Sequence, residues 1–94
     1  MIAGYLYLHI YLPGCTSLKQ KRSLIKPLIA RLHREFNVSV AEIGLNDLWQ
    51  EAMIGCALAA NDTAYAHKAL QTVLDYASSH WPDLEILEHR IETF

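Results

Sequence analysis

The 94 residues predict a two-layer α+β domain: a four-stranded antiparallel sheet with two helices on one face. Two observations carry this. Segments with strand and helix periodicity follow one another in the order β-α-β-β-α-β. The first strand also has two chemically different parities, as a sheet covered on one side requires. The length and a 52% hydrophobic fraction suit one domain over residues 1–94 with its own core.

Residues 2–12, IAGYLYLHIYL, alternate. One parity holds Ile2, Gly4, Leu6, Leu8, Ile10 and Leu12, and the other Ala3, Tyr5, Tyr7, His9 and Tyr11. The aliphatic parity should face the helices and the aromatic one the open side. Pro13 and Gly14 end the strand. Ser17, with Gln20 three residues on, reads as a capping box opening a helix. Leu18, Ile25, Leu28, Ile29, Leu32 and Phe36 fall on its apolar stripe. Pro27 lies on the polar side, where it removes one backbone hydrogen bond and bends the helix around the core.

Residues 37–44, NVSVAEIG, alternate again and predict a second strand, with 45–50 as a loop. Residues 51–60, EAMIGCALAA, predict a third strand of small side chains, with Gly55 at a bulge or a close contact. Asn61 and Asp62 can cap a second helix whose inward stripe is Ala66, Ala69, Leu70, Val73 and Ala77. His80, Trp81 and Pro82 stop it. Residues 83–94 predict a fourth strand in which Leu84, Ile86, Leu87 and Ile91 break alternation, so a bulge or a fraying end is expected. With right-handed crossovers, this order is the split-βαβ, or ferredoxin-like, arrangement.

Charge is uneven. Residues 1–35 carry six cations and Glu35, or +5, whereas residues 36–94 carry −7. The six cations are Lys19, Lys21, Arg22, Lys26, Arg31 and Arg34. Lys21 and Arg22 project near the edges of the apolar stripe and the others across from it. Clustered cations on one helix offer phosphate contacts and make these six the candidate nucleic-acid-binding residues. The competing reading is a solvated or self-associating helix face.

The chain resembles the YlxP-like family of small uncharacterised bacterial domains. The resemblance rests on Pro13-Gly14, Ser17-Leu18-Lys19 with Lys21-Arg22, and the segment from Phe36 to Glu42. Asp47-Leu48-Trp49-Gln50 and Asn61-Asp62 complete it. These segments span most of the chain in order. The resemblance implies a ferredoxin-like domain in a bacterial cytoplasm. Genes of this family typically sit among translation and ribosome-maturation genes, beside ribosome-binding factor A, which implies by association a role near RNA or a ribosomal subunit. It supplies no catalytic residues. The tyrosine-rich first strand, Cys15 and Pro27 are not part of the pattern.

Tyr5, Tyr7, His9 and Tyr11, on the open face, and Trp49, in the loop, are the candidate interface residues. Exposed aromatics on a sheet suit base stacking or a protein interface. The RNP1 pattern is absent, since residues 51–60 hold no aromatic and no cation, which favours a protein interface, with dimerisation through this face or an edge. In that reading Ile54, Cys56 and Leu58 lie beside the tyrosines. Trp49 either anchors an interface or folds back over one end of the core.

Other chemistry is poorly supplied. The five histidines show no metal-binding spacing, although His9 and His89 fall on strands expected to be neighbours. GxxxxGK[ST] is absent. Cys15 and Cys56 form no CxxC and read as free thiols in a cytosolic chain. Cys15, near a helix N-terminus and cations, is the one candidate nucleophile, with no evident base to pair it. No cofactor is expected, and no membrane association: residues 1–12 are too short to span a bilayer and lack the features of a signal peptide. The function expected is a non-enzymatic cytoplasmic factor that docks on RNA or a ribosomal subunit through its first helix. The alternatives are a homo-oligomeric scaffold using the tyrosine face and a small thiol enzyme.

Overall fold

A computed structural model describes all residues, Met1–Phe94. The elements are β1 (Ile2–Tyr11), α1 (Leu18–Glu35), β2 (Ser39–Gly44), β3 (Glu51–Ala60), α2 (Thr63–His80) and β4 (Glu85–Thr93). The sheet order is β2-β3-β1-β4 with every neighbouring pair antiparallel, the ferredoxin-like topology.

Strand parity sets the two faces. Leu6, Leu8, Ile10 and Leu12 are buried and meet Ile25, Leu28 and Leu32 of α1 and Leu70, Val73 and Ala77 of α2 in one core. The aromatic parity is half-buried on the open face. Register carries this division across β3. Ala52, Ile54, Cys56 and Leu58 pair with Ile10, Leu8, Leu6 and Gly4, so they face the helices and not the tyrosines. That corrects the placement of Ile54, Cys56 and Leu58. The residues beside the tyrosines are Met53, Gly55 and Ala57.

The caps form as the sequence requires. Gln20 N donates to Ser17 Oγ at 3.1 Å. The return bond runs from Thr16 N to Gln20 Oε1 at 2.9 Å, one residue before the cap. Ala64 N donates to Asp62 Oδ1 at 2.9 Å at the start of α2. Pro27 is exposed, and α1 runs through it unbroken. The break in β4 alternation is a register shift opposite His9 and Ile10, with Leu87 as the extra residue. Gly55 marks a close contact rather than a bulge: a Cβ there would meet Ile43 Cδ1 and Cγ2 at 3.0 Å each. The β2–β3 irregularity falls at Ile43 itself.

Candidate functional site

The six cations of the first helix divide into two sets. At 3.6 residues per turn, Lys19, Arg22, Lys26 and Arg34 project within an arc of about 120° on the outer side of α1. All four are exposed, and none has an acidic partner within ion-pair distance. The first turn of α1 contains no acid. These four side chains form an unneutralised positive strip on the outside of the helical layer.

Lys21 and Arg31 do not belong to that strip, and the burial of Lys21 corrects its assignment as a phosphate contact. Lys21 is 2% exposed. Its Nζ donates to Leu45 O and to Leu48 O, each at 2.8 Å. Glu42 Oε2 lies 2.9 Å from the same Nζ, in an ion pair without the alignment of a hydrogen bond. A buried ammonium with three oxygen neighbours is compensated where an unpaired one would not be tolerated. Its charge is therefore committed to the 45–50 loop and is not available to a phosphate. Helical projection accounts for the position: Lys21 is four residues before Ile25 and seven before Leu28, on the core-facing side of α1. That spacing was the signal in the sequence, and lysine's charge obscured it.

Arg31 is half-buried and braces the two helices. Its Nε donates to Tyr76 Oη at 2.6 Å. Its guanidinium lies 5.5 Å from the Tyr76 ring centre and 5.8 Å from that of Trp81, a cation–π arrangement. Tyr76 in turn meets Phe36 edge-on at 5.2 Å.

The open face has a different character. Tyr5 and Tyr7 stack with ring centres 6.4 Å apart, and Phe94 meets Tyr5 edge-on at 5.7 Å. Arg90 sits 5.0 Å from the Tyr7 ring centre. Tyr5, Tyr7, Ala41, Ile43, Gly55 and Ala57 line an open groove of about 360 Å³. His9 Nε2 and Glu51 Oε1 are 2.8 Å apart. Register places Glu51, Glu85, Glu88 and Glu92 on this face against the single cation Arg90. The sheet face is thus acidic and the outer face of α1 basic, so the molecule is electrostatically two-sided.

Trp49 does not fold back over the core; it is 53% exposed. His9 and His89 are on neighbouring strands but pair with Glu88 and Leu8 respectively, so alternation points them to opposite faces. No three His, Cys, Asp or Glu side chains come together as a metal-binding group. Cys15 and Cys56 are both free and buried. Cys15 Sγ donates to Ser17 O at 4.0 Å, and no hydrogen bond joins it to a histidine. Burial pushes the Cys56 thiol up to about 12. Neither α1 nor α2 is long and apolar enough to cross a membrane.

The fold and the basic helix are those of a small α+β domain with one cationic helix face. The family model described as "Protein of unknown function (DUF503)" matches residues 3–91, and the chain belongs to that family. It is 38% identical over 78 residues to the "Uncharacterized protein YlxP" of Bacillus subtilis (strain 168), covering 83% of this chain and 84% of that one. The expected kinship with the YlxP-like family therefore holds.

Proposed function

We propose that this domain binds RNA, on a ribosomal subunit or free, through the outer face of α1. The observation that carries this reading is the set of four exposed cations without acidic partners: Lys19, Arg22, Lys26 and Arg34. Cations paired with acidic side chains have no need of an outside anion; these four are left to solvent or to a polyanion. The acidic sheet face supports the same orientation, because it repels a polyanion from the opposite side. The ribosomal setting implied by the family resemblance points the same way. Co-sedimentation with purified small ribosomal subunits tests it. Saturable binding that weakens with salt and is lost on reversing Lys19, Arg22 and Lys26 to glutamate supports the reading. Failure to bind at low salt refutes it.

The groove on the open face favours a second, compatible role. Its lining of Tyr5, Tyr7 and Ile43, next to an exposed Phe94, suits a homodimer through the sheet. Light scattering at high concentration decides it. A monomeric mass excludes the dimer, and a dimer dispersed by Tyr7→Glu supports it.

A further inference from the structure

β2 is the last strand of the sheet and pairs with β3 on one side only. Its other edge presents the amides and carbonyls of alternate residues. Ten backbone hydrogen bonds lie outside the helices and strands, and none involves Ser39–Gly44. No side chain engages that backbone either. Lys21 takes Leu45 O and Leu48 O, beyond one end of the strand. His33 Nδ1 donates to Val38 O at 2.7 Å, before the other. Open edges pair with other strands unless a charge or a proline guards them. The opposite edge strand, β4, carries Glu85, Glu88, His89, Arg90 and Glu92. β2 reads SVAEIG, with no proline and one charge, and Glu42 turns that charge inward to Lys21 Nζ at 2.9 Å. The irregularity at Ile43 and the left-handed Leu45, at φ 60, leave Ser39–Glu42 as the regular stretch of open edge.

The two sides of this edge differ in chemistry. On the open face, Ala41 and Ile43 are exposed at the rim of the tyrosine groove. On the helix side, a second groove of about 400 Å³ runs between α1 and β2. Lys26, Ile29, Ala30, His33, Ser39 and Val40 line it, with no acid among them. At 3.6 residues per turn its four α1 residues span an arc of about 100°, and Arg22 projects inside that arc, one turn before Lys26. Neither Arg22 nor Lys26 has an acidic partner. A strand laid along β2 sets alternate side chains on these two sides. Its successive helix-side residues are about 6.8 Å apart, close to the roughly 6 Å between Arg22 and Lys26 along α1. Apolar residues suit the Ala41 side and acidic residues the Arg22 side. A second copy suits the edge less, because β2 against β2 brings the cationic sides of two α1 helices together. We propose that β2 accepts an extended acidic peptide of a partner protein as a fifth strand, with acidic side chains at alternate positions meeting Arg22 and Lys26. The site is independent of the RNA reading but shares these two cations with it, so the two ligands compete.

The probe is an acetylated ten-residue peptide alternating valine and glutamate, titrated into the full chain at low salt and followed by amide resonances and hydrogen exchange. Amides of Ser39–Glu42 should shift, and the outward-facing ones should gain protection, while those of β4 stay unchanged. Arg22→Glu with Lys26→Glu, both exposed positions, should weaken binding by roughly 5- to 30-fold. A peptide with lysine in place of glutamate should bind more weakly by a similar factor. N-methylation separates strand pairing from charge attraction. Methylating the amides of one residue type, valine or glutamate, should abolish binding, and methylating the other should spare it, because a single parity faces β2. Equal binding by the two methylated peptides overturns strand addition, as does failure of the parent peptide to bind at millimolar concentration. Protection of Ser39–Glu42 that rises with protein concentration in the absence of peptide assigns the edge to a second copy and also overturns the proposal. Peptide binding without binding of an RNA duplex supports the edge and refutes the RNA reading, and duplex binding without peptide binding does the reverse.

Discussion

Replacing Lys21 with methionine isolates what a buried charge does in this fold. Methionine keeps most of the stem's volume and removes the ammonium. The loss leaves Leu45 O, Leu48 O and the Glu42 carboxylate without their shared partner. Breaking a buried ion pair by removing one member costs about 3–5 kcal/mol. The low end applies here, because the Glu42 side chain is 19% exposed and can recover some water. Release of the Leu45 backbone returns on the order of 1 kcal/mol. The net expectation is a loss of about 2–3 kcal/mol, a large share of the 5–15 kcal/mol typical of such a domain. At 4–8 °C per kcal/mol, this is a fall in melting temperature of about 8–24 °C. Urea unfolding should show the loss as a lower midpoint with an unchanged slope. Adding Glu42→Leu should restore part of it by removing the stranded carboxylate. A loss below about 1 kcal/mol in Lys21→Met, or no recovery in the double variant, would refute the account of Lys21 as a loop latch.

Three further outcomes follow from the packing. The Cys56 thiol, raised to about 12 from an ordinary value of 9.0, stays protonated in the native state while the unfolded chain ionises. Its contribution to stability is therefore fully present below pH 9 and is lost as the pH rises from 9 toward 12, by roughly 1.4 kcal/mol per unit. Cys56→Ala should flatten that part of the stability profile relative to wild type, and identical slopes would exclude the mechanism. Gly55→Ala should cost about 1 kcal/mol by displacing Ile43, and in an Ile43→Ala background the same change should be neutral or favourable in denaturant titration. Pro27→Ala should raise stability by about 1–2 kcal/mol in thermal unfolding, since Pro27 is exposed and its helix gains a backbone hydrogen bond.

Much of the fold was legible because single elements carried unambiguous periods. The alternation of β1 assigned both sheet faces correctly, and the unbroken run from Glu51 to Ala60 formed β3 at those bounds. The β4 bulge was visible as a break in parity. The faces of β3 were harder to read. Its small apolar residues sit on both parities, and only the pairing register with β1 places Ile54 and Cys56 against the helices. The cationic strip was legible as a cluster but not in its membership. Lys21 and Arg31 are indistinguishable in charge from their neighbours, and their roles depend on partners 24 to 45 residues away. The inward position of Lys21 has a local trace in its spacing to Ile25 and Leu28, but its loop partners and the Tyr76 partner of Arg31 have none. The exposure of Trp49 likewise depends on a loop whose backbone is bonded to Lys21 and Leu12.

In the proposed function four cations of α1, and not six, face a polyanion. The salt dependence of binding to a twelve-base-pair RNA duplex tests it most directly, measured for wild type, for Arg22→Gln with Lys26→Gln, and for Lys21→Met. Four phosphate contacts give a slope of log affinity against log salt of about −3.6 on a duplex, and removing two should bring it to about −1.8. Lys21→Met should leave the duplex slope unchanged. A slope that falls in Lys21→Met by as much as one contact, or that stays at its wild-type value without Arg22 and Lys26, would contradict the assignment.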